Sequence, residues 1–167
     1  NMAEFGWDLE EYEKKGNFVF LEYSPAKVKA MLEEGGGEVE SLILKNKISR
    51  LVIDSITSFE LLFDDELEKR EASLSLFALI RDWNCTALLT LEEDLNEKGE
   101  FLSKALKFES DSLVMLYFPR IKRTRKRFLE VMKMRGTKHS REVYSFEINN
   151  KGIAVDKRPS SEFRADD

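Results

Sequence analysis

The sequence predicts an α/β domain with a mostly parallel sheet, helices on both faces, and antiparallel strands appended at the sheet's edge. Three observations predict it. Short continuous apolar runs at 51–53, 85–91 and 113–118 are separated by longer stretches of helical spacing; strands buried on both faces of a parallel sheet read this way. After Pro119 the texture changes to alternation over 127–134 and 142–148, and 153–155 follows the turn Asn149-Asn150-Lys151-Gly152, as in antiparallel edge strands. At 167 residues, 42% of them hydrophobic and 35% charged, the chain is long enough for one domain with a sizeable core.

The elements follow in order. Met2, Ala3, Phe5 and Trp7 are already on helical spacing at the first residues, so the natural N-terminus is expected upstream. Residues 18–21, between Gly16-Asn17 and Ser24-Pro25, are a strand candidate. A helical pattern over 26–47 is broken by Gly35-Gly36-Gly37, and the strand 51–53 ends at Asp54. Residues 66–83 are helical, with Leu74, Leu76, Phe77, Leu79 and Ile80 apolar on more than one side, as in a helix against a sheet. Beyond Arg158 the composition predicts a loose tail over 159–167, which leaves 1–158 as the domain.

Composition excludes several classes. A net charge of −5 argues against polyanion binding by the whole surface, though not by a local basic site. Cys85 is the only cysteine, so no internal disulfide forms and a reducing cytoplasm is the expected compartment. There is no apolar run of membrane-spanning length and no signal-peptide pattern. One His and one Cys give no zinc set, and nothing supports a Ser-His-Asp arrangement around His139. No stretch of the 167 residues matches G-x-x-x-x-G-K-[ST], the loop whose amides and lysine cradle phosphates. Gly35-Gly36-Gly37 runs into Glu-Val-Glu and cannot replace it.

The candidate residues lie at strand ends. Asp54 follows a buried strand at its carboxyl end, where ligands lie in open parallel sheets and where a carboxylate can hold Mg²⁺ beside phosphates. A lone Asp there also reads as a residue that merely ends a strand. Glu92 and Glu93 sit at an equivalent strand end and could polarise a water, or could be the solvated first turn of a helix. In Lys133-Met134-Arg135-Gly136-Thr137-Lys138-His139, two cations spaced by two share one strand face, followed by a glycine turn with a hydroxyl and the only imidazole. That set suits a polyphosphate, and equally an edge strand charged against aggregation. Residues 120–141 hold ten Lys or Arg and a single acid, Glu130. Such a patch could follow a nucleic-acid backbone, although a solvated hairpin explains it as easily and nucleic acid is the weaker reading.

Residues 5–18 (FGWDLEEYEKKGNF), 50–59 (RLVIDSITSF), 86–93 (TALLTLEE), 131–142 (VMKMRGTKHSRE) and 146–155 (FEINNKGIAV) together resemble the KaiC-like ATPases of the RecA superfamily. The resemblance spans residues 1 to about 155, and its most specific part is KMRGTKH. It implies a RecA-like three-layer domain, homo-oligomeric rings of like subunits (commonly hexamers), and ATP with Mg²⁺ bound between neighbours. On that resemblance Asp54 matches the Walker B aspartate that helps position Mg²⁺. Lys133 and Arg135 match the pair that reaches the neighbour's γ-phosphate, and Met134, Thr137 and His139 line the same nucleotide. Asn149 and Asn150 stand where relatives often carry Thr-Asp near the base. Glu92 matches a strand-end glutamate, with Leu91 in place of a small polar residue. Relatives carry a first strand, phosphate loop, helix and second strand upstream; that β-loop-α-β unit is missing here, so the chain is expected to be a trimmed domain that hydrolyses ATP poorly alone. A non-catalytic assembly module and a DNA-binding paralogue are the alternatives.

Overall fold

The structure, a computed structural model, describes residues 2–60, 62–92 and 108–163. Among them, in chain order, are a 3-10 helix (Met2–Phe5), α1 (Leu9–Lys14), α2 (Pro25–Glu33), α3 (Gly37–Asn46), β1 (Arg50–Ile53), α4 (Thr57–Glu60), α5 (Glu66–Asp82), β2 (Thr86–Leu89), β3 (Ser112–Tyr117), β4 (Arg120–Ile121), β5 (Thr124–Arg125), β6 (Phe128–Met134), β7 (Tyr144–Asn149) and β8 (Gly152–Val155). The chain divides into two compact units, Phe20–Glu109 and Asn1–Val19 with Ser110–Asp167, and each is described by itself.

In the first unit β1 and β2 pair in parallel, with Val52 opposite Leu88 and Ile53 opposite Leu89. The connection between them carries α5. Asp65 caps that helix by accepting from the Leu67 and Glu68 amides at 2.8 and 3.2 Å, which satisfies two of the donors left over at a helix start. Ser73, Leu76, Phe77 and Ile80 then form its buried stripe on the i, i+3, i+4, i+7 spacing of one helix face. Leu74 lies off the stripe and is exposed. Met31, Ile43, Phe59, Leu76, Phe77, Ile80 and Trp83 meet in one core, against which Leu51, Ile53, Ala87 and Leu89 pack. Gly36, at φ 109° between α2 and α3, passes so close that a Cβ there would lie 3.0 Å from the Glu40 Cβ and 3.4 Å from the Trp83 ring. The triple glycine is thus the expected helix break, and its middle member has a steric reason to be glycine.

Residues of four helices converge on one face of the strand pair, and on its other face Val52 and Leu88 lie opposite each other. One expectation for this unit changes. Residues 18–21 are not a strand; they have no ladder partner among the described residues, and Phe20 is 69% exposed. β propensity without a ladder partner does not make a strand, and the backbone groups of the run are left to water.

In the second unit the strand order is β3-β6-β7-β8, all antiparallel, with β4 and β5 as a separate hairpin. The appended antiparallel strands are as expected. β3 departs: its apolar run suggested another parallel strand, yet it pairs antiparallel with β6 over its whole length, because a short hairpin is all that joins them and a parallel return needs a long crossover. Phe128 is fully buried, and the Phe163 ring lies 5.1 Å from it and 4.8 Å from Tyr117. Within the segment expected to be a loose tail, the Ser160 amide donates to the Val143 carbonyl at 2.8 Å, and Glu162 pairs with Lys126.

The Tyr117 hydroxyl donates to Glu130 Oε1 on the neighbouring strand. Burial, and then the bond to this carboxylate, push the phenol well above its ordinary value of 10.0. The folded state therefore holds that proton more tightly than the unfolded chain, so the contribution is complete below about pH 10 and is lost as pH rises beyond it. In urea unfolding at about pH 8 and about pH 11, wild type should lose more stability between the two than Tyr117→Phe; equal losses would mean that Tyr117 ionises as freely folded as unfolded.

Candidate functional site

The parallel register brings the two strand ends of the first unit side by side. Asp54 follows β1 and Thr90 follows β2; the Thr90 amide donates to the Ile53 carbonyl at 3.0 Å and the Ile56 amide to the Thr90 carbonyl at 2.9 Å. The Thr90 hydroxyl donates to Asp54 Oδ1. One turn further, Thr57 Oγ1 accepts from the Glu92 amide at 2.9 Å and lies 3.4 Å from its carbonyl oxygen. Backbone and hydroxyl bonds therefore hold Asp54 and Glu92 at neighbouring strand ends, while both residues stay exposed. Glu93 lies outside the described residues.

Thr57 and Thr90 are the residues that sequence reasoning missed here. Their signal was positional. With Ile53 opposite Leu89, the next residues on the two strands are Asp54 and Thr90, and a hydroxyl beside a carboxylate at matching strand ends is a donor with an obvious acceptor.

The second unit holds the other group. β6 faces β3 with Lys133 opposite Leu113 and then Val131 opposite Val114, so Met132 is an extra residue in the ladder. Such bulges redirect the side chains that follow. Lys133 Nζ donates to the Ser110 carbonyl at 2.5 Å. Arg135 donates through its amide to the Asp111 carbonyl at 2.8 Å, and its guanidinium lies 3.3 Å from Asp111 Oδ1. The two cations thus engage consecutive residues, Ser110 and Asp111, a second pair that sequence reasoning did not name. Strand alternation accounts for only part of this, since β6 ends at Met134 and Arg135 opens the turn.

Beyond Met134 the backbone turns through Gly136 at φ 66°, a left-handed position that suits glycine. The Thr137 amide lies 3.5 Å from the Met134 carbonyl. His139 Nδ1 is 2.8 Å from the Ser140 carbonyl; a carbonyl only accepts, so Nδ1 is the donor in this contact. Met134 and His139 are half-buried, Thr137 exposed. Asn149 Oδ1 accepts from the Lys151 amide at 2.8 Å, so its side chain shapes the β7–β8 turn, and Asn150 is exposed within that turn. Asp54 and Glu92 belong to one unit, and Lys133, Met134, Arg135, Thr137, His139, Asn149 and Asn150 to the other.

Comparison with known proteins settles the lineage. The family model described as "ATPase: KaiC" matches residues 1–160. The chain belongs to the KaiC-like ATPase family. It is 29% identical to the circadian clock protein KaiC3 of Synechocystis over 93% of the chain and 32% of that relative. A UPF0273 protein of Pyrococcus horikoshii is 31% identical over 93% of the chain and 67% of its own length. Among solved structures, a KaiC-like protein from the same archaeon superimposes with a TM-score of 0.76 at 32% identity, over 92% of this chain and 67% of that one. This KaiC-like chain therefore spans about a third of the first relative and two thirds of the others. Its mixed α/β architecture, with a parallel sheet and antiparallel strands, is that of the RecA-type neighbour. No described helix is long and apolar enough to cross a membrane.

The hydroxyl–carboxylate tie can be tested by itself. Thr90→Val keeps the shape and removes the donor, and should lower the unfolding free energy by about 1–2 kcal/mol in urea titrations. A change within error would mean that the bond to Asp54 contributes nothing in solution.

Proposed function

We propose that this KaiC-like chain contributes one side of an ATP site shared between like subunits in a ring in the cytoplasm. Lys133 and Arg135 act on the phosphates of a nucleotide held by a neighbour. The observation that carries the reading is the pairing of these two cations with consecutive residues, Ser110 and Asp111, just before β3, which holds them close together where β6 ends. Two fixed cations suit the charge that spreads over the phosphoryl oxygens in transfer, and they need no further reorganisation. Thr137 and His139, on the turn that follows, supply a hydroxyl and an imidazole within the same segment, and Met134 gives an apolar wall. Asn149 and Asn150 mark the turn that would border the base.

Asp54 is the residue that would hold Mg²⁺, and the donor set fits that ion. Among the described residues no group of three or more His, Cys, Asp or Glu forms a metal cage. Mg²⁺ does not need one, because it keeps waters and phosphate oxygens as ligands and takes one or two carboxylates. Thr90 occupies Asp54 Oδ1 and fixes the carboxylate's orientation, which leaves Oδ2 for the ion or its water. When bound, Mg²⁺ neutralises phosphate charge. Glu92, held through its backbone by Thr57, is placed to orient a water or to register the state of the nucleotide. Without a phosphate loop of its own within these residues, the chain should bind ATP weakly and hydrolyse it poorly by itself.

Two measurements test the proposal. Titration with a fluorescent ATP analogue and Mg²⁺, followed by anisotropy, should show no saturation below roughly millimolar nucleotide; saturable micromolar binding would show that the chain holds a complete site. Mixed with an intact KaiC-like subunit, wild type should raise the ATPase rate, and Arg135→Ala should lower that gain by roughly tenfold or more. Equal rates in the two mixtures would remove the role across the interface.

A further inference from the structure

Neither packing nor the nucleotide reading accounts for the β4–β5 hairpin. Six of the eight residues 120–127 are Lys or Arg and none is acidic, in a chain of net charge −5. The register sets Arg120 directly opposite Arg125, and like charges facing each other across an antiparallel pair are destabilising. The tip is Lys122-Arg123, with Lys122 at φ 57°. Two-residue hairpins favour Asn-Gly there, and a residue with a Cβ costs roughly 1–2 kcal/mol in the left-handed region. Relief inside the fold is small. Lys126 pairs with Glu162, whereas among the described residues no carboxylate pairs with Arg120, Lys122, Arg123, Arg125 or Arg127. The hairpin thus concentrates positive charge against both turn chemistry and cross-strand electrostatics.

At its base stands an aromatic platform. Phe118 is 49% exposed, and the guanidinium carbons of Arg125 and Arg127 lie 5.5 and 5.0 Å from its ring centroid. Arg125 also donates to the Phe118 carbonyl at 2.9 Å, which fixes that guanidinium beside the ring. An exposed ring flanked by planar cations offers stacking surface to a base, and the neighbouring charges offer contacts to a phosphate backbone. An acidic peptide would use the charges and leave the ring idle. We propose that the β4–β5 hairpin and Phe118 bind single-stranded nucleic acid, with Arg120, Lys122 and Arg123 following the backbone and a base stacked at Phe118. This surface is separate from Lys133 and Arg135 and does not depend on the ATP reading.

The test is fluorescence anisotropy with labelled oligo(dT) and oligo(rU) of about 20 nucleotides, without ATP, at about 50 and about 200 mM salt. Saturable binding of either probe that weakens with salt upholds the proposal, and the tighter probe identifies DNA or RNA. The double variant Lys122→Ala/Arg123→Ala alters only the exposed tip, and an unchanged circular-dichroism melt will verify its fold. It should bind at least about tenfold more weakly, with a log–log salt slope shallower by about 1.4, or about 0.7 per lost phosphate contact. Phe118→Leu should weaken binding about fivefold or more and leave the salt slope unchanged, because stacking releases no counterions. No binding at the lower salt, or equal affinity in the tip variant, would overturn the proposal. So would displacement of oligo(dT) by poly-glutamate of matched charge, which would indicate an acidic protein partner, or tighter binding of a duplex of the same length.

Discussion

A parallel pair of strands requires the chain to travel back the length of a strand before pairing again, and the rest of the first unit follows from that requirement. The return takes a dozen or more residues. Here α4 and α5 fill it, and the stripe Ser73, Leu76, Phe77 and Ile80 packs α5 into the core that also receives Leu51, Ile53, Ala87 and Leu89. A parallel register also puts the carboxyl ends of both strands at the same edge, which is why Asp54 and Thr90 meet although 36 positions separate them. In an antiparallel pair the residue following one strand would lie beside the start of the other. The chemistry at this edge is thus a product of topology before it is a product of side chains.

Much of this was legible in the sequence. The strands at 51–53 and 86–89, the helix from Glu66, the glycine break and the three late strands carry strong local signals, namely continuous apolar runs, a 3.6 spacing and an alternating texture. What could not be read depends on partners distant along the chain. Residues 18–21 look like a strand because Phe-Val-Phe-Leu has the propensity, yet a strand exists only with a ladder. β3 has the apolar run of a parallel strand, and only its pairing with β6 makes it antiparallel.

The site residues divide along the same line. Asp54, Glu92, Lys133 and Arg135 were proposed from residue type and place in a motif, because each is a charge at or just beyond the end of a strand. Thr57, Thr90, Ser110 and Asp111 were not, because each acts by holding another residue, and that relation lies in the register. Asn149 falls on both sides of that line. Its Oδ1 accepts from the Lys151 amide and shapes the β7–β8 turn, a role that its place in a motif did not suggest. The holding residues had to be read from the hydrogen bonds of this chain.

The division into units has a consequence for biosynthesis. Phe20–Glu109 is one continuous stretch, whereas the other unit is assembled from Asn1–Val19 and Ser110–Asp167. Chains emerge from the ribosome N-terminus first, and units tend to fold as they are completed. The stretch with the parallel pair can bury its core while translation continues. Its companion must wait with its opening residues already made, until β3 and β6 have been synthesised. For that interval residues 1–19, whose two helices bury no residue even in the finished fold, have no strand of their own unit beside them.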